Sequence, residues 1–147
     1  EAYVKKEIQW IKNGMKRYGQ LNILLLLGGI LMLVFSGTVY RIWLGEGTVD
    51  IPFSLSLWGF MYFNVLIFGA KYVNFLNGIN ALRIQFYASL ASPFLYIALA
   101  MALIKYFEIG VYALFIASIA ANFNGFLLAP LQYYKIIYQQ KRGIWTR

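Results

Sequence analysis

Four long stretches without a charged side chain dominate the pattern of hydrophobic and polar positions along the chain. They cover residues 18–40, 51–70, 84–104 and 109–134, and short polar or charged segments separate them. At a rise of about 1.5 Å per residue, roughly 20 helical residues cross the ~30 Å hydrocarbon core of a bilayer. Each stretch is therefore long enough to span a membrane as a helix.

Composition favours a membrane protein over a soluble one. The chain is 61% hydrophobic and 12% charged, with a mean hydropathy of +0.64, whereas a soluble domain has roughly 25% charged residues. A strand with an open edge would leave its backbone groups without partners in lipid, and residues 21–35 lack the alternation of a barrel strand. We therefore predict an all-α membrane protein with spans at about 21–42, 51–71, 84–104 and 109–131.

The distribution of cations predicts the orientation of these spans. Eleven of the 13 lysines and arginines lie before the first span, between the second and third, or after the fourth. Because basic residues accumulate on the cytoplasmic side, we expect both termini to be cytoplasmic. The segment FLNGINALRIQ, residues 75–85 and here called the hinge, should then be a cytoplasmic turn.

The two ends of the chain are basic. Residues 1–20 place apolar side chains at helical spacing with lysines elsewhere on the circumference, which predicts an amphipathic linker helix. This helix could lie on anionic headgroups or pack as a connector against another part of a larger transporter. Residues 135–147 form a basic tail that we expect in the cytoplasm.

Polar side chains inside the predicted spans are sparse and are therefore the first candidates for a binding site. Asn64 lies in the second span, and Ser118, Asn122 and Asn124 cluster in the fourth, where they could line a polar cavity. A lone Asn can equally form an interhelical hydrogen bond. No charged residue is predicted at mid-membrane, which argues against a self-contained proton pump.

Three cations near the ends of the spans could hold a phosphorylated ligand. They are Arg41, Lys71 and Arg83, and their alternative role is ordinary interfacial anchoring. The substrate-binding candidates are thus Arg41, Asn64, Lys71, Arg83, Asn122 and Asn124. Catalysis is not expected: the chain has no cysteine or histidine, and every carboxylate lies outside the spans. No catalytic residue, metal or cofactor is predicted.

Three passages carry a resemblance to a known family: EAYVKKEIQWIK, YRIWLGEGTVDIP and YVNFLNGINALRIQ. With them the chain resembles the C-terminal part of a polysaccharide flippase, one of the O-antigen and capsule repeat-unit exporters of the multidrug/oligosaccharidyl-lipid/polysaccharide exporter superfamily. The matching positions are mainly structural, so the resemblance assigns no site residue.

The resemblance implies a fragment of a transporter of about 12–14 helices in the bacterial cytoplasmic membrane. Such a transporter moves polyprenyl-diphosphate-linked oligosaccharide outward by alternating access. The implied partners are the bilayer, the lipid-linked oligosaccharide and the N-terminal helices of the parent, and no nucleic acid is expected.

Two alternatives remain open. The chain could be a complete four-span lipid-carrier flippase of the GtrA type, or a non-transporting scaffold subunit of a glycan synthesis complex.

Overall fold

The computed structural model describes residues 2–45 and 50–146, and within these ranges the regular structure is entirely helical. The prediction of an all-α chain is confirmed. Part of the predicted outer turn, residues 46–49, and the two terminal residues lie outside the described residues. The helices are α1 (Ile8–Val34), α2 (Ser36–Leu44), α3 (Phe53–Gly78), α4 (Arg83–Lys105), α5 (Tyr112–Ala121) and α6 (Ala129–Ile137). A π-helical turn, Asn124–Leu128, joins α5 to α6, and a 3₁₀ turn, Gly143–Trp145, follows.

Three of these helices, α1, α3 and α4, are long and apolar enough to cross a membrane. The fourth apolar stretch is a bent pair, α5 and Asn124–Ile137, whose halves meet at 42°. By length and composition, the described residues contain up to four candidate spans if this pair counts as one. Large apolar side chains stay exposed along the helices, such as Leu24 at 65% and Phe94 at 73%. Surfaces of this kind need lipid or protein to cover them, and the long apolar helices mark the chain as a multi-pass membrane protein.

Helices α1 and α3 pack antiparallel, because contacts late in α1 meet residues early in α3. A Cβ placed on Gly19 would lie 3.8 Å from Lys71 Nζ, and one on Gly29 would lie 2.8 Å from the Phe60 ring. Between them, the Asn22 side-chain amide donates to the Ile67 carbonyl oxygen at 3.2 Å.

Helix α3 runs parallel to the fourth apolar stretch, since residues that meet are separated by a nearly constant 56–58 positions. Ser54 and Tyr112 share a hydrogen bond of 2.8 Å, and Gly69 meets Gly125 further along. Helix α4 lies antiparallel on α5, where Ser92 bonds Ala121. Consecutive long segments therefore run in alternating directions, and α3 lies between α1 and the fourth stretch.

One end of the bundle, here called the hinge end, holds the largest buried cluster in the described chain. The cluster joins the start of α1, the hinge and α6 through Ile11, Leu76, Ala81, Ala129, Tyr133, Ile136 and Ile137. Gln132 is fully buried there and donates to the carbonyl oxygens of Ala81 at 3.1 Å and Trp145 at 2.8 Å. Both ends of the chain are thereby fixed to the hinge.

Two boundaries differ from the sequence-based expectation. The predicted linker and first span form one helix, α1, without a break near residue 20, and the interruption comes at Phe35 instead. The linker residues pack their apolar face, including Ile8 and Met15, on the chain's own hinge end, an arrangement that neither alternative for the linker specified. The fourth stretch, expected as one helix over 109–131, is broken near Asn122.

Candidate functional site

The break in the fourth apolar stretch has a specific hydrogen-bond pattern. In an uninterrupted helix the Gly125 N–H would reach the Ala121 carbonyl oxygen, but it donates to Asn122 O at 2.9 Å instead. The Ser92 hydroxyl of α4 lies 2.8 Å from Ala121 O and 2.9 Å from Ala88 O, so its one proton is available to either carbonyl. Ser92 can therefore donate to the Ala121 carbonyl oxygen, which the Gly125 N–H does not reach.

The break lies where the fourth stretch packs closely against α3. A Cβ on Gly69 would lie only 2.7 Å from the carbonyl carbon and oxygen of Gly125, so the two backbones touch at a pair of glycines. The π-helical turn begins one residue earlier, at Asn124. π-Helical turns inside helices occur frequently at functional sites. The crossing of α3 with the broken helix is therefore a candidate functional site.

A groove of about 420 Å³ opens beside the break, between α3, α4 and α5. We call it the polar groove because its polar side chains are all uncharged hydroxyls and amides: Tyr62, Ser89, Ser92, Tyr96, Ser118, Asn122 and Asn124. The Oδ1 atom of Asn124 is buried and accepts no hydrogen bond within the described chain. An unpaired buried acceptor is costly, so a ligand hydroxyl that reached it would be stabilised.

A second groove of about 670 Å³ lies between α1 and α3 and has a different chemistry. We call it the lysine groove, since Lys16 of α1 and Lys71 of α3 both line it, with Gln20, Asn22 and Asn64. Asn64 donates to Phe60 O of its own helix at 2.7 Å. The two lysines can attract an anion to this groove. The polar groove has no charged side chain in its lining.

The third cavity, about 510 Å³, is lined mainly by apolar residues and lies towards the other end of the bundle. Gly29, Leu33, Phe60, Phe63 and Phe115 contribute to its wall. Its chemistry suits hydrocarbon, and it holds none of the predicted site residues.

The predicted site residues divide among separate places. Asn122 and Asn124 meet in the polar groove, and Asn64 and Lys71 meet in the lysine groove. Arg41, on α2, and Arg83, the first residue of α4, are exposed, and neither belongs to these two grooves as the described residues form them.

Sequence reasoning missed several residues of both grooves. Ser89, Ser92 and Tyr96 follow the i, i+3, i+7 spacing that places side chains on one helix face. That periodicity was a usable signal for the polar groove. Lys16 carried no comparable signal, because only the pairing of α1 with α3 brings it beside Lys71.

No protein-family model, curated protein or solved structure matches the chain. The two grooves are therefore the features of the chain that bear on its function. The polar groove offers neutral donors and acceptors together with two tyrosines, a set suited to binding hydroxyl-bearing ligands rather than ions.

Proposed function

We propose that this chain is the membrane-embedded C-terminal part of a flippase that moves polyprenyl-diphosphate-linked oligosaccharide across the bacterial cytoplasmic membrane. In this proposal four crossings alternate in direction, and both termini and the hinge lie in the cytoplasm. The supporting observation is the polar groove beside the broken helix. Irregular backbone at membrane depth is tolerated where protein buries it or where it lines a cavity, and broken helices often form the binding sites of transporters.

The depth of the groove agrees with this role. Ser92 lies nine residues after the start of α4 at Arg83, which is about 14 Å at 1.5 Å per residue. If Arg83 marks the boundary of the ~30 Å hydrocarbon core, Ser92 lies close to its middle. A polar lining near the middle of the bilayer gives hydroxyl groups a passage through a region that otherwise excludes them.

The chemistry of the groove suits a glycan. Serine hydroxyls and asparagine amides donate to and accept from sugar hydroxyls, and the tyrosine rings present an apolar face with a polar tip. Because the lining is uncharged, it repels neither neutral nor charged sugars strongly. The glycan would move along this groove as the helical lobes of the transporter rock against one another.

A translocation assay with matched asparagine pairs tests the proposal. We would express the full-length gene product as Asn122→Ala/Asn124→Ala and, as control, as Asn13→Ala/Asn77→Ala, both exposed and outside the groove. After reconstitution in liposomes, movement of a fluorescent polyprenyl-diphosphate oligosaccharide between leaflets is followed by quenching. We expect at least a tenfold slower rate for the groove pair and an unchanged rate for the control. Equal rates in the two folded variants would overturn the proposal.

A further inference from the structure

The lysine groove is an unassigned site whose charge is not balanced by its own walls. Lys16 and Lys71 reach it from facing helices, and none of the described residues that line it is acidic. Two lysines on the walls of one cleft make it electropositive, and an anion between them would be attracted by both. Gln20 adds a side-chain amide that can donate to the same anion.

The head group of Lys71 is held in position at this cleft. Its Nζ lies 4.9 Å from the ring centroid of Tyr72 and 5.3 Å from that of Phe68, within the range of cation–π attraction. A Cβ placed on Gly19 would be only 3.8 Å from the same nitrogen. The ammonium therefore rests against the backbone of α1 at a residue without a side chain, and its charge stays at the groove.

The length of α3 places Lys71 near the edge of the hydrocarbon core, within reach of lipid phosphates. Helix α3 has 26 residues, or about 39 Å, which exceeds the ~30 Å hydrocarbon core by about 9 Å. Lys71 lies seven residues before the end of α3 at Gly78, about 10 Å from that end. If Phe53 marks the opposite boundary of the core, the Cα atom of Lys71 lies about 27 Å from that boundary, close to the edge of the hydrocarbon core, and its long side chain can reach the headgroups.

On the side away from the hinge end the groove is lined by apolar side chains and by the amides of Asn22 and Asn64, both of which donate to backbone carbonyl oxygens. Ile23, Leu26 and Ile67 line it beyond the lysines, along the direction of the bilayer interior. An anionic lipid needs cations for its headgroup and apolar side chains for its acyl chain, and this groove has both. Basic pockets between membrane helices bind such headgroups.

We propose that the lysine groove binds the phosphate group of a membrane lipid, with Lys16 and Lys71 on the phosphate and an acyl or prenyl chain along Ile23, Leu26 and Ile67. This inference does not depend on the flippase function, because it requires only that the groove faces the bilayer. An anionic phospholipid and the polyprenyl-diphosphate carrier share the recognised phosphate chemistry.

Native mass spectrometry of the full chain in detergent tests this site. The probes are phosphatidylglycerol and phosphatidylcholine with identical acyl chains, and the wild type should retain phosphatidylglycerol at least tenfold better. Lys16→Gln/Lys71→Gln should abolish the preference, while Lys16→Arg/Lys71→Arg should keep it. The matched control, Lys141→Gln/Arg142→Gln, removes two exposed cations elsewhere and should also keep it. Circular dichroism verifies that each variant is helical.

The competing probes distinguish the sources of the phosphate. Displacement of phosphatidylglycerol by a polyprenyl diphosphate would assign the site to the carrier lipid, and resistance to displacement would assign it to the phospholipid. Inorganic phosphate lacks a chain for the apolar wall and should not compete at equal concentration. Equal retention of the two phospholipids by the wild type would overturn the proposal, as would an undiminished preference in folded Lys16→Gln/Lys71→Gln.

Discussion

Adding a single carbon atom at Gly69 should push α3 away from the broken helix. In Gly69→Ala the new Cβ would lie 2.7 Å from the Gly125 carbonyl carbon and oxygen, whereas ordinary van der Waals contact starts near 3.4 Å. The two backbones must therefore separate by about 0.7 Å, the difference between these distances. Overpacking of this kind destabilises a folded protein by ~1–3 kcal/mol.

The glycines of the chain supply graded controls for this substitution. Gly28, in α1, has nothing within 4 Å of an added Cβ, and alanine there should stabilise the helix by ~0.5–1 kcal/mol. At Gly125 the added Cβ would meet the Asn122 side chain at 2.9 Å, and a side chain can move where a backbone cannot. The free energy of unfolding should therefore fall most for Gly69→Ala, less for Gly125→Ala, and rise for Gly28→Ala.

Equilibrium unfolding measures this order. Each variant is purified in the same mixed micelles and unfolded with dodecyl sulfate, with helicity followed by circular dichroism. Gly69→Ala should be less stable than Gly28→Ala by ~1–3 kcal/mol, the cost of overpacking, because the gain in helix propensity is common to both variants. If Gly69→Ala proved as stable as Gly28→Ala, the close crossing of α3 and the broken helix would not exist in the protein.

Two further substitutions test the polar contacts that hold the break and the hinge end. Ser92→Ala removes the donor to Ala121 O. It should lower the free energy of unfolding by about 0.6 kcal/mol and by no more than about 1.7 kcal/mol, the range for such bonds between membrane helices. Ser92→Thr keeps the hydroxyl, and an equal loss of stability in both variants would refute this role for the hydroxyl. Gln132→Leu leaves the carbonyls of Ala81 and Trp145 without their donor and should cost ~1–3 kcal/mol. Amide hydrogen exchange at Thr146 should then quicken about tenfold, whereas Gln20→Leu, on an exposed site, should leave it unchanged.

The long helices could be predicted from the sequence because they depend on local properties. Uncharged runs and the positions of the cations predict the start of α3 and both ends of α4 within two residues of their observed bounds. They do not predict the last seven residues of α3, because the charge of Lys71 ends the uncharged run. A helix can continue past the membrane boundary, and hydropathy marks only its apolar part.

The break and the composition of the grooves could not be predicted from the sequence alone, because they depend on which helices meet. Asn122, Asn124 and Gly125 all have weak helix propensity, but the sequence does not show that Gly125 meets Gly69 at the point where the backbone departs from regular geometry. The separation of Lys71 from Arg83 likewise follows from helix pairing. Lys71 faces α1 and shares its groove with Lys16, while Arg83 begins α4.

Helix α1 and the fourth stretch pack on α3 in different ways. The buried residue of α1 is Ile11, which lies at the hinge end, and beyond it α1 meets α3 through Asn22, Gly29 and the residues around them. A hydrogen bond such as Asn22 to Ile67 contributes only about 0.6 kcal/mol between membrane helices. The crossing of Gly69 with Gly125 instead joins α3 firmly to the fourth stretch. The bundle should therefore open more readily between α1 and α3 than between α3 and the fourth stretch, and a lipid phosphate held by Lys16 and Lys71 would stabilise the interface of α1 with α3.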